Sequence, residues 1–565
     1  MVKDQKNAEA AISRRDFGRL LAPGTVAATG LFGARARLFA QSTHDTSRND
    51  LGARTYNIRE SGAVGDGKTP DTQALQRAID ACHADGGGTV LVPAGTFVIG
   101  TVELKSNVTL HLAAAATLLG SPEGSHYHAI SQIPLHGDAT LEDGNYALLF
   151  AVDAKNITIE GKGTIDGHGA QFRSVDGAPP PSGLAGDRRP YHLLFYRCEG
   201  ITLKDVSLLD SAYHSVRIIQ SSHVHIDAVY IHNRVNGNND GFHFISTEHV
   251  TLTNCTVKSQ DDACALFGSC RHITIANSFF STRWSVFRFG GGHAEDIAIT
   301  NCLLHEVGGC PIKFQGDSAA RFENISFSNL IFKDVTGPIS ISVGGRMNPP
   351  NDSTPVIVRN ISFSNLRGNV VACPPARLPE SALSINSRPG ERNSCIVLNS
   401  VNGATLENIS FDNVHLTFAG GGTSQDASQR DIPQTYGEYF KLGTPPSYAL
   451  FARNARGLTL HNVRFQVDEP DLRPAIVFDS VQDAAINCLS IQANPRAESV
   501  LRLIDSRQIL LTATRVLTPA STFLQIEGSS NDGIIVEGGD LSKAASPLAA
   551  RRGAKEQAVK LRNLS

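Results

Sequence analysis

From about residue 200 onward, short runs of alternating apolar and polar residues end in Asn: Val250-Thr251-Leu252-Thr253-Asn254, Ile273-Thr274-Ile275-Ala276-Asn277, Ile297-Ala298-Ile299-Thr300-Asn301 and Ile325-Ser326-Phe327-Ser328-Asn329. A period of two within each run is the signature of a strand with one buried face. Successive Asn lie 23, 24 and 28 residues apart, and the pattern returns at Asn365, Asn413 and Asn462 after longer insertions. Repeats of this length, built from strands with no helical stretch between them, predict an all-β solenoid, a right-handed parallel β-helix with one repeat per coil. The Asn should stack as a ladder at a tight buried turn, each amide donating to one neighbour and accepting from the other. Cys255 and Cys302 follow ladder Asn directly and should stack likewise. The competing architecture is a sandwich of hairpins, but the Asn-Gly and Asp-Gly turns that would close them are few.

A solenoid exposes strand edges and core at its ends unless something covers them. Residues Asp71 to Cys82 carry a capping residue, apolar positions at 74, 75, 78, 79 and 82, and then Gly86-Gly87-Gly88. That pattern predicts an N-terminal capping helix plugging the first coil. After Gly420 the repeat is interrupted by an insertion up to Pro446, placed to overhang a groove, and resumes at Leu458-Thr459-Leu460. The weaker strands from Ala475 to Leu541 either extend the helix or fold back on it. The expected organisation is a signal segment at 1–40, a linker at 41–54, the β-helix that carries the chemistry at 55–465, and further coils or a C-terminal cap at 466–565.

Composition narrows the picture. The 565-residue chain is 41% hydrophobic and 19% charged, which is globular. Its 51 Gly and 26 Pro against one Trp and two Met favour turns and short strands over helices. A formal charge of -3 supplies no basic surface for nucleic acid, and no apolar run after residue 40 is long enough for a stable membrane anchor. Residues 1–40 hold seven Lys or Arg and three Asp or Glu, with Ser13-Arg14-Arg15-Asp16-Phe17 leading into an apolar stretch from Leu20 to Phe32. This resembles a twin-arginine signal, which implies export of the folded chain by the Tat machinery to a periplasmic or extracellular location, with cleavage after Ala36 or Ala40. Gly24, Gly30 and Gly33 argue against an ordinary amphipathic helix there. None of the ten Cys falls in a Cys-x-x-Cys pattern, so most read as core.

Neighbouring coils lie about 4.8 Å apart, so residues one repeat apart share a face. Asp261 and Asp262 follow Asp240 by 21 and 22 residues. Three carboxylates meeting at one surface point raise the proton affinity of at least one of them, so the set can supply both an acid and a base. On spacing alone, a solvated turn or a cation site remains open for such a cluster.

Four motifs add context. Gly62-Ala63-Val64-Gly65-Asp66-Gly67-Lys68-Thr69 and Val92-Pro93-Ala94-Gly95-Thr96-Phe97 are similar to the opening of many pectin-active β-helix proteins. Asn238-Asn239-Asp240-Gly241 and Gln260-Asp261-Asp262-Ala263-Cys264 resemble, in order and separation, the Asn-Thr-Asp-Gly and Gly-Asp-Asp motifs of glycoside hydrolase family 28, the polygalacturonase family. The resemblance covers roughly residues 55–465. It implies an exported hydrolase that cleaves a pectic polysaccharide or oligosaccharide, of galacturonan or rhamnogalacturonan type, with inversion and with no cofactor and no metal. Asp261 would be the general acid, and Asp240 and Asp262 would position the water.

Two further motifs depart from the family. Its Gly-His-Gly position reads Trp284-Ser285-Val286, with Ser285 where the histidine is expected, and its Arg-Ile-Lys motif reads Pro311-Ile312-Lys313. Arg288, about one coil from both Asp262 and Lys313, is placed to replace the missing cation, so Arg288 and Lys313 are expected to bind a sugar carboxylate. The alternative is that the two cations only balance the Asp cluster. His243 and His214 are further candidates for lining the substrate groove, and Trp284 for stacking on a sugar ring. A pectate-lyase-like eliminase with a calcium cluster and an arginine base, or a β-helix that binds carbohydrate without cleaving it, are the competing functions.

Overall fold

The computed structural model describes residues 54–134, 144–175, 177–316, 319–344, 355–372 and 391–564; the candidate export segment and the residues after it up to 53 lie outside these. Alternation becomes coil geometry directly. The coil at residues 242–259 contributes the strands Phe242–Ile245, Glu248–Thr253 and Thr256–Ser259. They pair in parallel with Cys264–Phe267, Arg271–Ala276 and Phe279–Thr282 of the next coil. Repetition yields one 15-stranded parallel sheet and one 29-stranded sheet that wraps the other faces, wound as a right-handed β-helix.

The core is a set of columns. Val250, Ile273, Ile297 and Ile325 pair in strict register and are all buried. Aromatic residues also stack along the axis: Phe289 on Phe314 with centroids 4.4 Å apart, and Phe327 on Phe363 at 5.2 Å. The parallel pairing runs on to Val559–Arg562, which lies beside Ile534–Asp540.

The Asn ladder forms, but on an exposed outer corner and not in a buried turn. Asn301 donates to Asn277 at 3.3 Å, Asn329 to Asn301 at 3.0 Å, Asn365 to Asn329 at 2.9 Å, Asn413 to Asn365 at 2.6 Å and Asn462 to Asn413 at 3.0 Å. Asn254 donates instead to Asp227. The reason is backbone handedness: each ladder residue takes a left-handed conformation (φ 57° at Asn254, 53° at Asn277, 55° at Asn301), which turns the amide outward and the following residue inward. Cys255 and Cys302 are therefore buried behind the ladder, with Ser278 between them, its hydroxyl accepting from the Cys255 amide. Asp296, Asn324, Asn360 and Asn408 make a second ladder of the same kind. Among the described residues nine cysteines are free, and all but Cys488 are buried.

Helix α1 spans Thr72–Ala84 and buries Ala74, Leu75, Ala78, Ile79 and Cys82 against the first strands. Asp71 stands at its N-cap without capping it. Its carboxylate accepts from the Val64 and Gly65 amides at 2.7 and 3.0 Å, tying the preceding loop to the helix start. The triple glycine after the helix is required at Gly87, where φ is 120° and a Cβ would stand 2.5 Å from the Asn107 carbonyl. The insertion at 420–446 lies over the outer face of the 15-stranded sheet, with Gly437 donating to the Ser342 carbonyl and Asn399 to that of Thr435.

If the ladder stabilises the coil through both its amide bonds and its left-handed turns, Asn329→Ala should lose about 1–2 kcal/mol in denaturant titration. Asn329→Gly, which keeps the turn and loses only the amide, should lose less. Equal losses would show that handedness contributes nothing.

Candidate active site

Strand register places the chemistry. Val216 pairs with Phe242, Phe242 with Cys264 and Cys264 with Phe287, so the residues two positions before each, His214, Asp240, Asp262 and Ser285, form one column. Backbone bonds hold that edge: Ser215 donates to the Asp240 carbonyl, Gly241 to that of Asp262 and Ala263 to that of Ser285. Asp240 and Asp262 are thus the stacked pair, and Asp261 stands beside the column, one residue along. A second column on the outer face of the strands runs through Arg217, His243, Ala265, Arg288 and Lys313.

The turn before Asp240 is shaped by its asparagines. Asn239 donates to the carbonyls of Ser211 and Tyr213 at 3.0 and 2.7 Å and accepts from the amides of Val235 and Asn236. Asn238 sits in the left-handed region at φ 55°, and Arg189 bridges its side chain and the Gly237 carbonyl. Gly241 has no room for a side chain, since a Cβ would lie 2.4 Å from the Ala263 carbonyl of the next coil.

The three carboxyls have distinct environments. Asp240 is buried, with one oxygen 3.6 Å from His214 Nε2 and the other 3.4 Å from His243 Nδ1. Burial, then the charges of Asp261 and Asp262, raise its pKa well above the ordinary range. Asp261 accepts from the Asp262 amide at 2.8 Å. Burial and the neighbouring Asp262 charge push it up to about 6. Asp262 is buried too, which acts to raise its pKa, but Arg288 and Lys313 outweigh burial and hold it below the usual carboxylate range. Arg288 Nη1 donates to it at 2.9 Å and the Ser285 amide at 3.2 Å. The trio titrates as a unit, and its arrangement favours an ionised Asp262 beside a protonated neighbour.

The histidines are neutral, because burial and then the charge of Arg217 hold both well below their ordinary pKa. Their rings stack at 5.1 Å, and Arg217 Nη1 lies 3.3 Å from His214 Nδ1. Asp240, His214 and His243 offer donor atoms within 4.8 Å of one another. Arg217 beside them would repel a dication, so the set fits hydrogen bonding better than metal binding.

All seven site residues singled out in the sequence reach this face. Two have unexpected partners. Lys313 is 1% exposed and bonds both oxygens of Glu438, from the insertion, at 3.1 Å each. Arg288, as described, holds Asp262. Trp284 is half-buried, with Lys313 Nζ 5.1 Å from its ring centroid and the edge of Phe440 at 6.1 Å. Arg283 is buried and donates to the Gly308 carbonyl. Two residues that sequence reasoning did not single out belong here, Arg217 and Glu438. Arg217 was findable, since it precedes His243 by the same 26 residues that separate His214 from Asp240. Glu438 lies in a non-repeating insertion that no register reaches. On the N-terminal side the same outer face carries a second buried apolar cluster that includes Ile130, Ile133, Tyr196, Tyr213, Ile219 and Ile245.

The sequence model of glycosyl hydrolases family 28 matches residues 82–378, more than half of the chain. The chain belongs to glycosyl hydrolases family 28. Among relatives of this family, an exo-poly-alpha-D-galacturonosidase of Dickeya chrysanthemi is 31% identical over 37% of this chain and 41% of its own length. An exopolygalacturonase of Arabidopsis thaliana is 26% identical over 62% of this chain and 78% of its own length. The family 28 exopolygalacturonase structure from Yersinia enterocolitica shares the fold, with a TM-score of 0.57 at 19% identity, covering 76% of this chain and 78% of that one.

Proposed function

We propose that this family 28 glycosidase cleaves a pectic polysaccharide or oligosaccharide by single displacement with inversion. The observation that carries the proposal is the split within one carboxyl cluster, Asp261 raised to about 6 and Asp262 held low by Arg288. Groups whose pKa values are pushed apart are suited to opposite roles. Asp261 delivers its proton to the glycosidic oxygen as the bond to the anomeric carbon breaks. Asp262 accepts a proton from the water that attacks the opposite face. Asp240, on the coil before Asp262, hydrogen-bonds the same water and is oriented by His214 and His243.

Substrate class follows the relatives, whose names place them on galacturonan as exo-acting enzymes. Export through the Arg14-Arg15 pair belongs to the same proposal: changing both to lysine should strand the precursor inside the cell, and normal secretion of that variant would contradict it.

Asp261→Asn keeps shape and removes the proton donor, so kcat should fall by about 10² or more while oligosaccharide binding survives. The wild-type protein should release saturated reducing sugar and ignore a calcium chelator. Unsaturated, UV-absorbing products that vanish with the chelator would establish elimination instead, and binding with no product from any pectic oligosaccharide would leave a binding protein.

A further inference from the structure

Lys313 is the one cation of the family's Arg-Ile-Lys position that this chain keeps, Pro311 standing where the arginine would be. Its ammonium is buried and takes both carboxylate oxygens of Glu438 at 3.1 Å. Glu438 is not a loose surface side chain that swings by. The next residue, Tyr439, is buried with its hydroxyl near that of Thr336. Phe440 rests its ring edge on Trp284, and Gly437 donates to the Ser342 carbonyl on the sheet below. The backbone on both sides is anchored, so the carboxylate is delivered to Lys313 by the fold of the insertion.

We infer that Glu438 sets specificity at this position: by neutralising Lys313 it makes the subsite accept a sugar ring without charge at C6, such as a methyl-esterified uronate or a deoxyhexose, and reject the free uronate. This rests on the reading of the site as a pectic subsite. A uronate carboxylate approaching Lys313 meets a like charge already at bonding distance, in a partly buried site where such repulsion is poorly screened. The neighbouring cation gives no relief, because Arg288 is committed to Asp262. Trp284, whose ring lies under the Lys313 ammonium and is only half-buried, presents an apolar face suited to a ring methyl or ester methyl group. A free uronate would have to displace Glu438 and leave that carboxylate unpaired beneath the insertion.

The test is calorimetric titration of the Asp261→Asn protein, with and without Glu438→Gln, using one oligogalacturonide in its methyl-esterified and de-esterified forms. Glutamine keeps an oxygen for the Lys313 ammonium and removes the charge; Glu438→Ala serves as the second variant, and thermal melts check that each is folded. The Glu438 protein should bind the esterified oligomer at least about 10-fold more tightly, and both variants should shift preference towards the ionised form by about 10-fold or more. Tighter binding of the ionised oligomer when Glu438 is present, an unchanged ratio in the variants, or binding of neither form would overturn the inference. Turnover by the Asp261 protein is measured separately: a preference that switches with Glu438 without any product would remove the hydrolase reading and leave this one standing.

Discussion

Everything in this molecule depends on parallel register between coils about 4.8 Å apart. In a parallel ladder a residue meets the residue one repeat later, and only a strict repeat keeps like positions together over many coils. Val250, Ile273, Ile297 and Ile325 use that rule to build core. His214, Asp240, Asp262 and Ser285 use the same rule at the edge of the 15-stranded sheet to build chemistry. The left-handed Asn corners fix where each coil turns, and so fix the register that both columns need.

Stacking carboxylates is costly, and the site answers with charge placed by the same register. Arg288, one coil on, bonds Asp262 and keeps it ionised. Among the described residues no Arg or Lys hydrogen-bonds Asp240 or Asp261, and burial raises both. The imbalance separates acid from base within a few residues of chain. Lys313 contributes to holding Asp262 low, yet is itself held by Glu438, so the charge that an open groove would offer a substrate is absorbed by the protein.

Much of this was legible in the chain because a solenoid converts sequence distance into spatial distance. The Asn spacing announced coils, and the separation of Asp240 from Asp262 announced a shared face. What the spacing left open was handedness at the corner: a polar ladder reads equally well as buried or exposed until the left-handed turn is known to aim Asn301 outward and Cys302 inward. Asp71 shows a related limit, since a capping residue at the right position can spend its carboxylate on Val64 and Gly65 instead. Glu438 was out of reach for a stronger reason. An insertion obeys no period, and 125 residues of chain separate it from its partner Lys313.

The central claim is that the carboxyl raised to about 6 serves as the acid, and the pH dependence of kcat/KM tests it most directly. An acid must be protonated to work, so kcat/KM on a neutral pectic oligosaccharide should fall about tenfold per unit as pH rises beyond that value, and should fall again at low pH as Asp262 gains a proton. A rate that instead climbs through pH 6 and holds to pH 8 would mean that the raised carboxyl works in its ionised form, as the base, and would contradict the account.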